Sequence, residues 1–184
     1  ERLRGEADAQ RRGYGLEALL ERLFRAGHFD VTRDPKGARP RQTDLIATRG
    51  GRGYVIEAKW HKAPAGPEEV DSLRARLRRL PPGALGVLVS IGGFSAGALG
   101  AMEDDRNGGV ILPVDEDRLF DLLADPSGLD RALSSLEERL LVEGDLTPPD
   151  HLASRRRRLA ELTLTEAQSE FSTPGGSDSA IVAG

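Results

Sequence analysis

Asp44, Glu57 and Lys59 are the residues of this sequence whose types and spacing can do chemistry together. In the stretch GRGYVIEAKW, residues 51–60, Tyr54, Ile56 and Ala58 alternate with Val55, Glu57 and Lys59. Period-two alternation marks a strand, and it sets Glu57 and Lys59 on one face. Upstream, TDLIATR also alternates, and the intervening Gly50-Gly51 is a two-residue hairpin signal. Pairing outward from that turn sets Arg49 against Arg52 and Asp44 against Glu57. Carboxylates so opposed stand about 4.5–5.5 Å apart at Cβ and repel each other. Two compensations are economical: Lys59 neutralises the pair, or a divalent cation binds between the two acids.

The second compensation carries more chemistry. Hard carboxylate ligands, with no Cys in the chain and no His cluster nearby, point to Mg²⁺ or Mn²⁺ rather than zinc. A metal on two carboxylates with a lysine beside it suits phosphodiester hydrolysis, since the metal activates water and screens the phosphate. Lys59 is then placed to orient that water or to stabilise the developing charge. The bland alternative is a surface salt bridge on an edge hairpin. A second acid-x-Lys match, Asp34-Pro35-Lys36, lies in a Pro-rich loop without a suitable upstream acid, so context and not the tripeptide singles out Glu57 and Lys59.

The elements that must position these residues are readable from periodicity and punctuation. Residues 13–26 place Leu16, Leu19, Leu20, Leu23 and Phe24 at helical spacing, with Gly27 as a stop. HFDVTRD reads as a first strand, and the hairpin strands follow. A helix runs over GPEEVDSLRARLRRL, with Pro67 in its first turn and Val70, Leu73, Leu77 and Leu80 on one side. ALGVLVSI is a near-continuous apolar run, which marks a strand covered on both faces. GGFSAGALGAME is a turn and helix with Ser95 as N-cap. GGVILPVD is a last strand, followed by helices over DEDRLFDLLA and residues 128–143. The order predicts an α/β fold: a central mixed β-sheet of about five strands flanked by helices, with a C-terminal helical extension.

We divide the chain into a lead-in over 1–12, a catalytic-type domain over 13–124, a helical extension over 125–146, and a basic linker with a small-residue tail over 147–184. The opening ERLRGEADAQRR is neither a start Met nor a signal peptide, so the chain is expected to be part of a longer protein with further domains. The lack of Cys is compatible with the cytoplasm, and no apolar run approaches the roughly 18–20 residues of a membrane span. Net charge is −4, which argues against a surface that grips nucleic acid everywhere. It leaves room for a local basic stripe. The cations are nearly all Arg; Lys stands only at 36, 59 and 62.

Asp44, twelve residues, then Glu57-Ala58-Lys59 resembles the PD-(D/E)XK nuclease signature, and the surroundings resemble the Mrr-type restriction endonuclease catalytic domain. The family's pattern of a helix before the hairpin is matched by GYGLEALLERLFRAG, with Leu16 in place of an aromatic. The later elements are matched by EVDSLRARLRRL, VLVSIGGFSAGAL and ILPVDEDRLFDLL. The resemblance covers roughly residues 13–124. It implies a restriction-endonuclease-like core and Mg²⁺- or Mn²⁺-dependent cleavage of DNA, with Asp44 and Glu57 as metal ligands and Lys59 as the catalytic lysine. Glu17 matches an acid of the first helix that approaches the metal in many such nucleases. Two departures stand out: Glu57 where Mrr-type sequences often carry Gln, and RPRQTD in place of a Gly-rich loop before the Asp.

Arg74 and Arg78 on the helix after the motif, and Arg155 and Arg156 in the basic segment, are the candidate phosphate contacts; Arg76 and Arg79 belong to the same helical run. Trp60 reads as core or sheet edge, His61 as surface, and Ser90 and Ser95 as cap or turn residues. The leading reading is an endonuclease acting as the effector domain of a larger bacterial defence protein. The alternatives are an RNA-cleaving nuclease with the same site, or a silent module that keeps the fold to bind nucleic acid or protein. Low positive charge implies that substrate affinity or activation comes from another domain or from a homo-oligomer.

Overall fold

The computed structural model describes residues 8–33, 45–104, 109–144 and 146. The chain divides into two units between Thr147 and Pro148, and all the described residues belong to the first. Asp44, Arg155 and Arg156, together with the linker and tail from 147 onward, lie outside the described residues.

Helix α1 spans Ala9–Ala26, beginning four residues before its apolar repeat because Asp8 caps it, accepting from the amides of Gln10 and Arg11 at 2.8 and 3.3 Å. Strands β1 (Asp30–Arg33), β2 (Leu45–Arg49) and β3 (Arg52–Lys59) are joined antiparallel. Gly50 and Gly51 take φ of 57° and 79°, the left-handed pair that a two-residue turn between twisted strands demands. The register therefore matches the outward count from the turn, Arg49 with Arg52 and Leu45 with Ile56.

From β3 onward the sheet turns parallel. Helix α2 (Pro67–Leu77) leads to β4 (Leu85–Ser90), and α3 (Ala96–Asp104) leads to β5 (Ile111–Asp115). The five strands lie in the order β1-β2-β3-β4-β5, so β3 is the centre and β4 is buried along its whole length. Two successive crossovers moving the same way along a sheet put both helices on one face when each is right-handed. That is the arrangement here. Val55, Val70, Leu73, Leu88, Met102 and Ile111 form the core under α2 and α3. The opposite face is closed by α1, α4 (Glu116–Ala124) and α5 (Leu129–Val142), over a core that includes Leu16, Leu20, Ile56 and Val87.

The C-terminal extension is part of that second core. Leu129, Leu133 and Leu136 of α5 are buried against residues from α1 and the sheet. Two acids of α5 also resolve the like-charge pair at the hairpin tip. Arg52 makes a two-pronged bond to Glu137 at 2.6 and 2.8 Å, and Arg49 pairs with Asp130 at 3.5 Å. Planar guanidinium-carboxylate pairing of this kind fixes orientation as well as charge. Leu133→Ala should therefore cost about 2–5 kcal/mol in urea unfolding, as a core truncation does, although Leu133 lies beyond the expected nuclease-like domain. A loss below about 1 kcal/mol would show that the extension is peripheral.

Candidate active site

Val55, Glu57 and Lys59 point to the α2/α3 face of β3, while Tyr54 and Ile56 point to the α1/α4/α5 face. The face that carries the acid and the lysine is thus the one enclosed by the two crossovers. Val55 packs in the apolar cluster with Leu73 and Leu77 of α2. One step along the same face, the apolar filling stops and Glu57 takes its place.

Glu57 is 3% exposed, so its carboxylate lies inside the protein. Its Oε1 is 2.7 Å from Lys59 Nζ, and its Oε2 accepts from Arg76 Nη1 at 2.6 Å. A buried carboxylate is tolerated only when paired and hydrogen-bonded, and here each oxygen has its own cation. This burial excludes the bland reading of a surface salt bridge on an edge hairpin, since β3 is central and the acid is enclosed. The cations are more open than the acid, Lys59 being 29% and Arg76 20% exposed at the side chain. Among the described residues, Glu57 and its two cations together carry one positive charge.

The site lies at the carboxyl end of the parallel strands, where open α/β sheets place their ligands. Lys59 is in register with Ser90 at the end of β4, and their side chains share a face. Ser90 is buried, and its Oγ has no hydrogen-bond partner among the described residues. The segments that leave β3 and β4 are laced together above this end. Ala65 donates to the carbonyl of Gly93 at 2.9 Å, and Ser95 donates to the carbonyl of Ala65 at 3.0 Å. At Gly92 a Cβ would meet the carbonyl oxygens of Ala63 and His61 at 2.4 and 2.7 Å, so only glycine permits the approach. Ser95 caps α3 as expected, its Oγ accepting from Ala98 N at 3.1 Å.

Arg76, which the sequence shows only as one of the helical arginine run, is the second partner of Glu57. It stands three residues after buried Leu73 and four after Ser72, on the flank of the apolar stripe of α2, and from there reaches Glu57. Arg74 sits within the buried stripe instead. It is 4% exposed and donates to the carbonyl of Ala101 at 2.6 Å, which ties α2 to α3 and leaves no surface for the expected phosphate contact. Arg78 follows the last turn of α2 and is exposed. Glu17 is half-buried on α1, whose apolar face packs on the sheet side opposite Glu57 and Lys59. Trp60 packs against the α1-side core, and His61 is exposed.

The family model described as restriction endonuclease, the Mrr catalytic-domain model, matches residues 9–123, more than half of the chain. The chain belongs to this restriction endonuclease family. Solved structures similar to it include the MspJI restriction endonuclease in complex with a 27-mer oligonucleotide, at 20% identity and TM-score 0.44, covering 80% of this chain and 36% of that one. A protein of unknown function, AF1548, is 14% identical with a TM-score of 0.44, covering 69% and 97%. The DNA modification-dependent restriction endonuclease AspBHI is 22% identical with a TM-score of 0.45, covering 67% and 35%. The chain thus spans about a third of the length of those two restriction endonucleases. A search of curated proteins finds no match. Among the described residues of this endonuclease domain, no helix is long and apolar enough to cross a membrane.

Divalent metals are general among restriction endonuclease domains. Glu57 supplies a hard oxygen ligand of the kind Mg²⁺ and Mn²⁺ take. The unsatisfied Ser90 hydroxyl on the same face is a site for a hydrogen bond from a metal-bound water. No group of three or more His, Cys, Asp or Glu side chains that could hold a metal ion occurs among the described residues. The set fits a hydrated divalent ion in kind.

The two arginines singled out on α2 separate cleanly by stability. Arg74→Met, which leaves the Ala101 carbonyl without its donor, should cost about 1–3 kcal/mol in chemical unfolding. Arg78→Ala should stay within about 0.5 kcal/mol of the parent, as exposed substitutions usually do. Equal effects at the two positions would refute the packing role of Arg74.

Proposed function

We propose that this domain is a metal-dependent endonuclease that hydrolyses DNA phosphodiester bonds, with Mg²⁺ or Mn²⁺ held by Glu57 and Asp44. The observation that carries the reading is the enclosed Glu57 carboxylate bound to Lys59 at the carboxyl end of the central strand, in a chain of restriction endonuclease family. Membership of that family makes DNA the substrate in preference to RNA. A bound divalent ion supplies screening of the phosphate and a more acidic water.

The chain's own groups do the rest. Glu57 would supply one oxygen ligand, and counting outward along the sequence from the Gly50-Gly51 turn sets Asp44 against it as the second. Lys59 Nζ stands beside Glu57 with partial exposure, close enough to the opening to donate a hydrogen bond to a phosphate oxygen as negative charge builds there. Held next to Oε1, the ammonium is oriented before substrate arrives, so little reorganisation accompanies the reaction. The Ser90 hydroxyl, on the same face, is available to accept from a water at the site. Arg78, Arg155 and Arg156 contact the DNA backbone.

A net charge of −4 opposes tight binding of a polyanion by this chain alone. DNA affinity therefore comes from a companion domain of a larger bacterial defence protein, or from a second copy, and the working compartment is the cytoplasm.

Plasmid cleavage at low salt, with Mg²⁺ or Mn²⁺ and an EDTA control, tests this directly. Metal-dependent nicking or cutting is expected, and Lys59→Ala should lower it by about 10²-fold or more, the scale of one lost transition-state donor. Cutting that persists in EDTA, or that Lys59→Ala leaves intact, would remove the site from the reaction.

A further inference from the structure

We propose that Arg76 is the placeholder for the divalent cation on Glu57, and that metal loading transfers its guanidinium to the DNA backbone. The inference rests on the metal-dependent reading above and adds a residue to it.

Glu57 Oε2 is the oxygen that Lys59 does not hold, and Arg76 Nη1 occupies it at 2.6 Å. A divalent ion and a guanidinium compete for the same carboxylate lone pairs and repel each other at that distance. The two cations on Glu57 are not equivalent in how they are tethered. Lys59 is two residues away on the same strand, with its backbone locked in the sheet: its carbonyl accepts from Ile91 N at 3.1 Å. Arg76 comes from α2, close to the C-terminal end of that helix, and its long side chain is partly exposed. Its second terminal nitrogen, Nη2, donates to Ser72 Oγ at only 3.3 Å, a weak neutral contact one turn back. Arg76 is therefore the cation that can leave.

Where it goes follows from its chemistry. A released guanidinium at the mouth of the site keeps a fork of donors matched to a phosphate's paired oxygens. With Arg76 in place both oxygens of Glu57 already hold a cation, so adding a dication without moving Arg76 sets a third positive centre against the same carboxylate. A DNA phosphate brings the missing negative charge and gives Arg76 a new acceptor. In the metal-free protein the same contact holds the enclosed carboxylate in place.

The test is Mn²⁺ binding to the full 184-residue chain without DNA, read as the loss of the free Mn²⁺ electron-paramagnetic-resonance signal. Glu57→Gln sets the zero. Arg76→Gln keeps a donor for Oε2 without the charge, and Arg76→Ala removes both; thermal unfolding of each confirms that it folds. Both Arg76 variants are expected to bind Mn²⁺ about tenfold more tightly than the parent, because a competing cation is gone. Binding by the parent with no change or a loss in both variants would overturn the placeholder role and leave the metal reading standing. No Mn²⁺ uptake by the parent or by either Arg76 variant would overturn both. In the presence of Ca²⁺ and duplex DNA, the same variants should weaken binding and reduce the salt slope by about one. An unchanged slope would overturn the transfer to phosphate.

Discussion

A carboxylate enclosed in the middle of a sheet is the constraint on which the rest of the molecule depends. Glu57 interrupts an otherwise apolar face of β3 at the point where α2 would close over it. Without partners, such a charge would be expelled or neutralised, because desolvation of an ion is costly in a low dielectric. Two cations hold it: one arrives two residues later on the same strand, the other nineteen residues later from the crossover helix. The acid therefore couples the strand to α2 at the same place where chemistry is expected, and the apolar packing of Val55 under Leu73 and Leu77 sets how closely Arg76 approaches.

The two sides of the sheet divide the labour that follows. On the α1/α4/α5 side, leucines from three helices fill a continuous core, and charged groups serve to pin the hairpin, as Arg52 does on Glu137. On the α2/α3 side, the apolar cluster covers the lower part of β3 and β4 and gives way to Glu57, Lys59 and Ser90 at their carboxyl ends. Fixed backbone surrounds that opening: the segments after β3 and β4 bond to each other through Ala65, Gly93 and Ser95. Rigidity near a charged site matters because ligand geometry must be in place before substrate binds.

Much of this was legible in the sequence because the informative signals are local. A Gly-Gly turn between two alternating strands determines register, and register determines which side chains share a face, so Glu57 and Lys59 were placed together from periodicity alone. The element order and the mixed sheet followed from the switch between period two and period 3.6. Arg76 was not legible as Glu57's partner, because its role depends on the rotation of α2 over the sheet. Four arginines in six residues offer no local basis for choosing among them, and only the buried stripe of Val70, Leu73 and Leu77 shows that Arg74 lies inward while Arg76 flanks the acid. The contribution of α5 was underestimated for the same reason: an amphipathic helix announces that it packs, but not on what.

The contrast between the whole chain and its centre bears on how a nuclease of this composition avoids indiscriminate binding. The chain is negative overall, while Glu57, Lys59 and Arg76 leave one positive charge in a confined place. Long-range electrostatics set encounter rates and non-specific affinity, and a negative body lowers both for a polyanion. Short-range pairing inside a partly enclosed site is screened far less. If the proposed function holds, a domain built this way engages a phosphate strongly only once the backbone is delivered to the site. Under the proposed function, the division of charge assigns capture of DNA to surfaces beyond this core and leaves to the core the cations on Glu57 that a phosphate would meet.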